Sequence, residues 1–410
     1  MKFCLEQRVY KRLNIAQIIE NIGNEYGGPA NSLPNMLAAI RGKLGINSVI
    51  YSTIKSDEEE NEFIERFSIP WIRCQQNGLA KLKYSRELKN RLDADLTDDD
   101  ILFSNNLWNY PSFLSAQLAQ KKNIPHIVSI RGSLYPWSLS QGKLRKKIAW
   151  YLFQKRSLQN ASLVHVTCED EYNAVRELGI TSPIAIVPHG INYDDYQSLP
   201  EKNEAIEHLG LNSDKKYILF MSRLHKKKGL DLLLEVWPEL VKEYPRWCLL
   251  IVGPDYSNYT DEISTLAADK NIAGNIKALG MVTGHDKKSV LAASEFFVLP
   301  SYTENFGVVI GEALAAGLSA ITTTGTPWSE INTHNCGKYI TLSKENLLQA
   351  LQEMMSLDNE SLTTMSNNGK LLIKNSYSWF AQAVKFGQAI DFVLTGKPDP
   401  DVVYLHQTKS

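Results

Sequence analysis

Short apolar stretches alternate with helical stretches in two successive series, and this alternation limits the fold more than any other feature of the sequence. The first series predicts strands at residues 13–19, 47–53, 69–74, 101–104, 124–130, 163–167 and 184–188. The second series predicts strands at residues 217–221, 248–252, 276–279, 296–299 and 319–323. Strands that alternate with helices form parallel, doubly wound sheets. The 410 residues therefore predict an α/β protein with two Rossmann-like domains.

The domain boundaries are predicted from changes in composition along the chain. The predicted parts are a first domain at 1–192, a polar linker at 193–215, a second domain at 216–377, an amphipathic helix at 378–395 and a loose tail at 396–410. Ligands of doubly wound folds bind at the carboxyl ends of the strands. The two domains are therefore predicted to face each other across a ligand-binding cleft.

Composition excludes several classes of function. The formal net charge of -1 gives no general attraction to nucleic acid. The five cysteines contain no CxxC pair, which argues against a zinc site or a disulfide framework. No signal peptide and no apolar run of the roughly 20 residues needed to span a bilayer is recognised. We therefore expect a cytoplasmic protein, or one bound peripherally to the inner face of the plasma membrane.

The stretch 293–317 carries the clearest site signal. A short apolar run, Phe296–Leu299, predicts a buried strand, and a polar turn over 301–305 follows it. The next segment predicts a helix that begins near Val308 and ends at Gly317. A strand, turn and helix in this order direct free backbone N–H groups toward an anion.

Two carboxylates frame that turn. Glu304 precedes the helix and Glu312 lies within it, with seven residues between them. Carboxylates accept hydrogen bonds from sugar hydroxyls, so the stretch suits a phosphorylated sugar. Taken alone, the pair is better explained as a surface Glu in a turn and an unrelated helix Glu, so further motifs are needed.

A basic loop follows the first strand of the second domain. Arg223 and Lys228 lie five residues apart there, and together they can bind a diphosphate. A solvated basic turn is the alternative interpretation. Because this loop and the Glu304 turn both follow parallel strands, we expect them at one sheet edge, which favours a nucleoside diphosphate.

These motifs resemble the retaining glycosyltransferases of the GT-B fold, specifically the GT4 family. That family carries an R-x4-K-G loop, matched by Arg223, Lys228 and Gly229. It also carries an E-x7-E signature, matched by Glu304 and Glu312.

Further stretches match in order along the chain. Gly27-Gly28 corresponds to the family's N-terminal double glycine, and 188–192 (PHGIN) corresponds to its hinge motif. The stretches 131–134 and 326–328 resemble a branch that acts in bacterial surface polysaccharide synthesis, such as exopolysaccharide or lipopolysaccharide. A last implication is that the helix at 378–395 packs back on the first domain.

The resemblance implies roles for individual residues. Arg223 and Lys228 would neutralise the departing pyrophosphate, and Glu304 would contact the donor sugar; we take these three as the catalytic residues. Glu312 would bind the ribose. The full set of implied donor-binding residues is Asn305, Phe306, Gly307, Val308, Glu312, Met281, Val282, Gly27, Gly28 and Arg131. The resemblance also implies that no metal and no cofactor are needed.

The implied reaction moves a hexose from a nucleoside-diphosphate sugar to a saccharide or lipid-linked saccharide. UDP-glucose or a similar UDP-hexose is favoured, and GDP-mannose is compatible. A catalytically silent nucleotide-sugar-binding partner and a nucleotide-sugar epimerase on the same fold remain alternatives. A dehydrogenase would need GxGxxG, which is absent, and in a metal-dependent GT-A enzyme the D-x-D would follow a strand, whereas Asp93-Ala94-Asp95 precedes one.

Two features depart from the family pattern or extend it. Arg131 occupies the place of a His that many relatives carry, and it can bind a carboxylate or a phosphate. Residues 143–156, KLRKKIAWYLFQKR, are basic with interleaved aromatic residues. We call them the basic segment. A membrane-surface helix and a domain helix with a solvated basic face and a buried aromatic face are both compatible with this pattern.

Overall fold

The computed structural model describes residues 13–26, 28–55, 59–77, 82–256, 259–270 and 272–406. Contacts divide the chain into two compact units. The first unit contains the residues up to Gly190 and those from Trp379 onward, and the second unit is Ile191–Ser378.

The described residues of the first unit form an eight-stranded sheet. Its strands are β1 (Asn14–Ile19), β2 (Asn47–Ile54), β3 (Trp71–Gln75), β4 (Asp100–Asn105), β5 (His126–Ser129), β6 (Leu163–Val166), β7 (Ile184–Ile186) and β14 (Val403–Tyr404). They lie in the order β14-β7-β6-β5-β4-β1-β2-β3. All pairs are parallel except β14 with β7. The strand order reverses between β1 and β4, where ligands of such sheets bind.

Helices connect these strands. They are α1 (Gly28–Leu44), α2 (Glu62–Arg66), α3 (Arg86–Asp95), α4 (Tyr110–Lys122), α5 (Pro136–Ser140), α6 (Lys143–Ala149), α7 (Lys155–Gln159), α8 (Glu169–Glu177) and α17 (Trp379–Thr395). A π-helical turn, Trp150–Gln154, joins α6 to α7. Helix α4 shows why such helices begin and end where they do. The Asn109 side chain accepts from the Ser112 amide at its start, and Asn123 ends it in the left-handed conformation at φ 54°.

The second unit contains a six-stranded parallel sheet in the described part of the chain. Its strands are β8 (Lys216–Met221), β9 (Trp247–Val252), β10 (Ile276–Gly280), β11 (Phe296–Leu299), β12 (Ser319–Thr323) and β13 (Gly337–Ile340). The order is β10-β9-β8-β11-β12-β13, so it reverses between β8 and β11. Every residue of β9, β11 and β12 is buried, as expected for parallel strands covered on both faces.

The helices of the second unit cover both faces of this sheet. They are α9 (Lys202–His208), α10 (Leu230–Glu243), α11 (Tyr259–Asp269), α12 (Gly284–Ala293), α13 (Val308–Ala316), α14 (Glu330–Thr333), α15 (Lys344–Ser356) and α16 (Asn359–Leu372). Among the described residues, no helix in either unit has the length and apolar character needed to cross a bilayer.

The prediction of a linker at 193–215 is wrong. A 3-10 turn, Tyr193–Tyr196, and helix α9 occupy this stretch, and both belong to the second unit. Tyr196, Ala205 and Ile206 are buried in the core of that unit. The polar residues that suggested a linker lie on the exposed side of these elements.

The prediction of a loose tail at 396–410 is also wrong in part. Val403 and Tyr404 form β14, which pairs antiparallel with β7, and Val402 and Val403 are buried. The Arg176 guanidinium donates to the Tyr404 carbonyl at 2.9 Å. Two residues of strand are too short for a sequence pattern to reveal.

The C-terminal helix, predicted at 378–395, is observed as α17. It belongs to the first unit and packs on α1. A Cβ on Gly387 of α17 would lie 3.2 Å from the Leu44 side chain, which shows how closely the two helices approach. The sequence also missed β13, a short edge strand whose residues are mostly half-buried.

Candidate active site

Two loops meet where the strand order of the second unit reverses. Strands β8 and β11 are neighbours, with Phe297 opposite Leu219, so the loops that leave their carboxyl ends lie side by side. The Tyr302 amide donates to the Lys227 carbonyl at 2.8 Å, and the Ser301 hydroxyl donates to the same carbonyl at 3.0 Å. These bonds hold the basic loop against the Glu304 turn.

The predicted catalytic residues lie on these two loops. The Lys228 ammonium forms an ion pair with the Glu304 carboxylate, and only 12% and 11% of the two side chains are exposed. Arg223 is exposed beside them. Burial, and then the positive charges of Lys228 and Arg223, lower the pKa of Lys227. The structure therefore brings three cationic side chains and one carboxylate together at this edge.

Two glycines allow this close approach. Gly229 has φ 70°, and a Cβ there would lie 1.9 Å from the Pro300 carbonyl oxygen. A Cβ on Gly325 would lie 2.5 Å from the Tyr302 carbonyl oxygen. Glycine is needed at both positions because neighbouring backbone occupies the space of a side chain.

Helix α13 begins directly after the turn. Gly307 precedes it in the left-handed conformation at φ 76°, and no side chain caps the helix start. The Ile310 amide donates to the Gly307 carbonyl at 2.9 Å. By helix geometry, the amides of Val308 and Val309 have no intrahelical acceptor and carry the positive end of the helix dipole. This start can receive an anion.

Trp328 fixes the conformation of the turn, a role that sequence reasoning missed. Its indole N–H donates to the Phe306 carbonyl at 2.6 Å. The ring is fully buried and packs 5.1 Å from Phe306 and 4.8 Å from Tyr377, between ring centroids. The sequence singled out 326–328 only as a resemblance to relatives.

Glu312 has two partners that the sequence did not predict. Its carboxylate accepts from the Lys287 ammonium at 2.7 Å. Burial, and then the charge of Glu312 and a hydrogen bond to it, raise the pKa of Tyr196, so the Tyr196 hydroxyl stays protonated. Lys287 lies on α12 and Tyr196 in the supposed linker, and nothing in their local sequence pointed to Glu312.

Met281 and Val282, predicted near the base, follow β10 at the same edge of this sheet. Met281 is 67% exposed, and Val282 is half-buried. Two strands, β9 and then β8, separate β10 from β11. At about 4.8 Å per strand, Met281 lies on the order of 10–15 Å from the Glu304 turn.

The first unit carries the remaining predicted residues. Gly28 is the exposed first residue of α1, and a Cβ there would meet nothing within 4 Å. The space at this helix start is therefore open to a ligand. Gly27 lies outside the described residues.

Arg131 follows β5 in the left-handed conformation at φ 46°. Its guanidinium donates to the side-chain amide oxygen Oδ1 of Asn105 at 3.1 Å and to the Ser32 hydroxyl at 3.0 Å. Burial lowers the pKa of Arg131 to about 10, and the carboxylates of Glu171 and Glu20 oppose that shift. Arg131 thus stays charged at neutral pH.

The carboxylates near Arg131 were not found from the sequence. Glu20 accepts from the Asn106 and Asn109 amides at 2.9 and 3.1 Å. Glu171 is buried and accepts from the Gly132 amide, which stabilises the turn that contains Arg131. Burial raises the pKa of both carboxyl groups.

His126 on β5 and His165 on β6 are both buried. His126 bonds the Ser104 hydroxyl at 2.8 Å, and His165 bonds the Ser129 hydroxyl at 2.9 Å. Burial lowers the pKa of each to about 4, so both are neutral at pH 7.

The described residues contain no group of three or more His, Cys, Asp or Glu side chains arranged to hold a metal ion. The positive charge found at the candidate site is that of side chains and of a helix start.

Comparison with known families assigns both halves of the chain. The model for glycosyl transferases group 1 matches residues 201–372. The model for the glycosyl transferase 4-like domain matches residues 27–190. This chain belongs to the GT-B glycosyltransferases. The family resemblance and the two Rossmann-like domains predicted from the sequence are confirmed.

Individual relatives are distant from this glycosyltransferase. It is 29% identical over 214 residues to a putative teichuronic acid biosynthesis glycosyltransferase, TuaC, of Bacillus subtilis, covering 51% of this chain and 49% of the relative. It is 25% identical over 201 residues to an uncharacterized glycosyltransferase of Methanocaldococcus jannaschii, covering 48% of this chain and 50% of that protein. The chain thus spans about half the length of the curated relatives that it matches.

Solved structures share the fold. HepE of Anabaena, determined in complex with UDP and glucose, has a TM-score of 0.73 and 17% identity, covering 94% of this chain and 100% of that chain. The roles of the individual site residues stay predictions.

The Lys228–Glu304 pair predicts strong coupling between the two loops. Each single variant, Lys228→Met or Glu304→Gln, removes one charge of the pair and leaves the other poorly solvated. We expect each variant to lower the free energy of unfolding by about 3 kcal/mol. The double variant should lose clearly less free energy of unfolding than the two single variants lose together. Urea unfolding of the full chain measures this cycle. Lys338→Met, in the more exposed pair with Glu353, is the control and should change little. Additive losses would contradict the coupling.

Proposed function

We propose that this glycosyltransferase transfers a hexose from a UDP-hexose, with UDP-glucose favoured, to a saccharide or lipid-linked saccharide acceptor. The observation that carries the proposal is the meeting of Arg223, Lys228 and the start of α13 at the reversal point of one sheet. Such a point binds nucleotides in doubly wound folds. Cationic side chains and helix amides are the groups that bind a diphosphate.

The groups of the second unit divide between the parts of the donor. Arg223, Lys228 and the amides of Val308 and Val309 bind the diphosphate. Lys228 has three N–H donors, so it can keep its bond to Glu304 while it donates to a phosphate oxygen. Glu304 then lies beside the diphosphate, where it accepts hydrogen bonds from sugar hydroxyls.

Glu312 binds the ribose hydroxyls in this proposal. Lys287 and Tyr196 hold its carboxylate in place, and a carboxylate retains further lone pairs for additional donors. The base lies against Met281 and Val282. Gly28 and Arg131, on the first unit, serve the acceptor or the donor phosphate.

The proposed transfer retains the configuration at the sugar. The bond between C1 and the β-phosphate oxygen breaks, and the acceptor oxygen attacks C1 from the same face. The acceptor proton passes to the departing phosphate oxygen. Arg223 and Lys228 act by stabilising the negative charge that develops on the diphosphate.

Two observations on relatives support the choice of substrates. HepE, whose fold this chain shares, was determined with UDP and glucose. TuaC is named as a putative glycosyltransferase of teichuronic acid biosynthesis. We therefore propose a role in bacterial surface polysaccharide synthesis and favour UDP-hexoses over GDP-mannose.

We also propose that the basic segment contacts an anionic membrane surface. None of its residues from Lys143 through Phe153 is buried. A domain helix with a buried aromatic face would bury Tyr151, which is instead 74% exposed. Basic and apolar side chains exposed on one helix favour an anionic bilayer surface.

Arg223→Ala tests the diphosphate site. Loss of a charge-assisted hydrogen bond of about 1.5–3 kcal/mol should weaken UDP binding roughly 10- to 100-fold. Isothermal titration calorimetry measures the affinity, and UDP release from UDP-glucose measures turnover. Lys226→Ala, in the same loop and exposed, should bind UDP like the original chain. Equal affinities for all three proteins would contradict the site, and UDP binding without UDP release in the presence of candidate acceptors would favour a silent partner.

Metal independence is tested by chelation. Because Arg223, Lys228 and the start of α13 supply positive charge, we expect UDP release to continue at an unchanged rate in excess EDTA. A rate that falls in EDTA and returns when Mg²⁺ or Mn²⁺ is added would contradict this proposal.

The membrane contact is tested by vesicle co-sedimentation. Replacing Lys143, Arg145 and Lys147 by Ala should lower partitioning onto phosphatidylglycerol vesicles roughly 100-fold, at about 1 kcal/mol per basic residue. The control replaces three exposed lysines elsewhere, Lys270, Lys374 and Lys397. A control that loses as much binding, or a segment variant that loses none, would contradict the contact.

A further inference from the structure

A large cavity lies in the first unit between the basic segment and the start of α4. Its volume is about 960 Å³, near the top of the range of roughly 300–1,000 Å³ typical of small-molecule sites. Seven of the described residues that line it are hydrophobic, among them Trp108, Tyr110 and Phe113 near the start of α4 and Ala149, Leu152 and Phe153 in the basic segment. The cavity can therefore hold a ligand with a substantial apolar part.

The charged groups at this cavity are all positive. Arg145 and Lys146 line it, and none of the described residues that line it is acidic. Burial, and then the positive charge of Arg145, lower the pKa of Lys146. An anion between the two side chains would relieve their repulsion. The cavity thus suits a ligand with both an apolar part and a negative charge.

The cavity borders a surface with unusual apolar exposure. Leu144 is 73% exposed and Leu152 76%. Leu152 belongs both to this surface and to the cavity wall. An apolar chain in the cavity can therefore also contact the exposed apolar surface of the basic segment at Leu152.

One residue of the cavity lining, Asn109, also bonds a carboxylate near Arg131. Asn109 lines the cavity, and its side-chain amide donates to the Glu20 carboxylate at 3.1 Å. Glu20 follows β1 at the reversal point of the first sheet, and its charge acts on Arg131. A ligand that fills the cavity would thus contact Asn109, which is one hydrogen bond away from Glu20.

We propose that this cavity binds the hydrocarbon chain of an anionic lipid that carries the acceptor group, with Arg145 and Lys146 at its phosphate. This assignment rests on the proposed transfer to a lipid-linked acceptor. The combination of apolar walls and two cations in the lining is complementary to such an amphiphile. A second copy of this chain is the alternative occupant. It would have to insert a cluster of acidic and apolar side chains of matching shape into the cavity.

The test uses dodecyl phosphate below its critical micelle concentration and the full chain. Binding is measured by isothermal titration calorimetry. Ala149→Trp places an indole inside the cavity and should weaken binding at least about tenfold. Ile148→Trp, the adjacent exposed position that lines no wall of this cavity, is the matched control and should bind like the original chain.

A second pair of variants tests the charge. Arg145→Ala should weaken binding of dodecyl phosphate several-fold more than binding of the neutral dodecyl maltoside. Lys155→Ala, exposed on α7, should affect neither ligand. Equal losses for both ligands in Arg145→Ala would overturn the assignment of the phosphate position.

Other outcomes separate this proposal from its alternatives. Equal binding by Ala149→Trp and Ile148→Trp, or binding only above the critical micelle concentration, would overturn the cavity as the site. Analytical ultracentrifugation shows whether the original chain self-associates. If Ala149→Trp abolishes that self-association, the cavity binds a second copy of the chain instead. UDP-induced thermal stabilisation, measured on the same proteins, reports on the second unit. If UDP does not stabilise the original chain, the proposed function is contradicted. The titrations with dodecyl phosphate would still show whether the cavity binds lipid.

Discussion

The adjacency of β8 and β11 is the constraint on which the candidate site depends. These strands are far apart in sequence, yet they lie side by side because the chain returns to the centre of the sheet after β10. Hydrogen bonds from the Tyr302 amide and the Ser301 hydroxyl to the Lys227 carbonyl then fix the distance between the two loops. The ion pair between Lys228 and Glu304 follows from that distance, and so does the need for glycine at 229. The strand order thus brings the cationic side chains and the start of α13 to one edge, and the contacts between the loops fix their positions there.

The first unit repeats the same principle with different side chains. Its sheet reverses between β1 and β4, and the loops there carry Glu20 and Asn109. Arg131 follows the next strand, β5, and Glu171 stabilises its turn. The second unit presents an excess of positive groups, which suits a diphosphate. In the first unit, Arg131 is balanced by two carboxylates, which suits a neutral or singly charged group such as a sugar hydroxyl or a lipid phosphate.

The sequence predicted the fold well because parallel strands are buried on both faces and read as continuous apolar runs. The run at Phe296–Leu299 is such a strand, and its bounds match the structure. Short edge strands lack this signal, which is why β13 and β14 were missed. The stretch 193–215 was misassigned because a short helix with a polar outer face resembles a linker in composition. Of the candidate site, Arg223, Lys228 and Glu304 were predicted to share an edge, and they do. The partners of Glu312 could not be predicted, since Lys287 and Tyr196 reach it only through tertiary packing.

The most direct test of the central claim is a crystal structure of this chain with UDP. The account predicts that the β-phosphate oxygens lie within about 3.2 Å of the Val308 or Val309 amide and of the Arg223 or Lys228 side chain. A diphosphate bound elsewhere on the chain, with the start of α13 and the basic loop unoccupied, would contradict it.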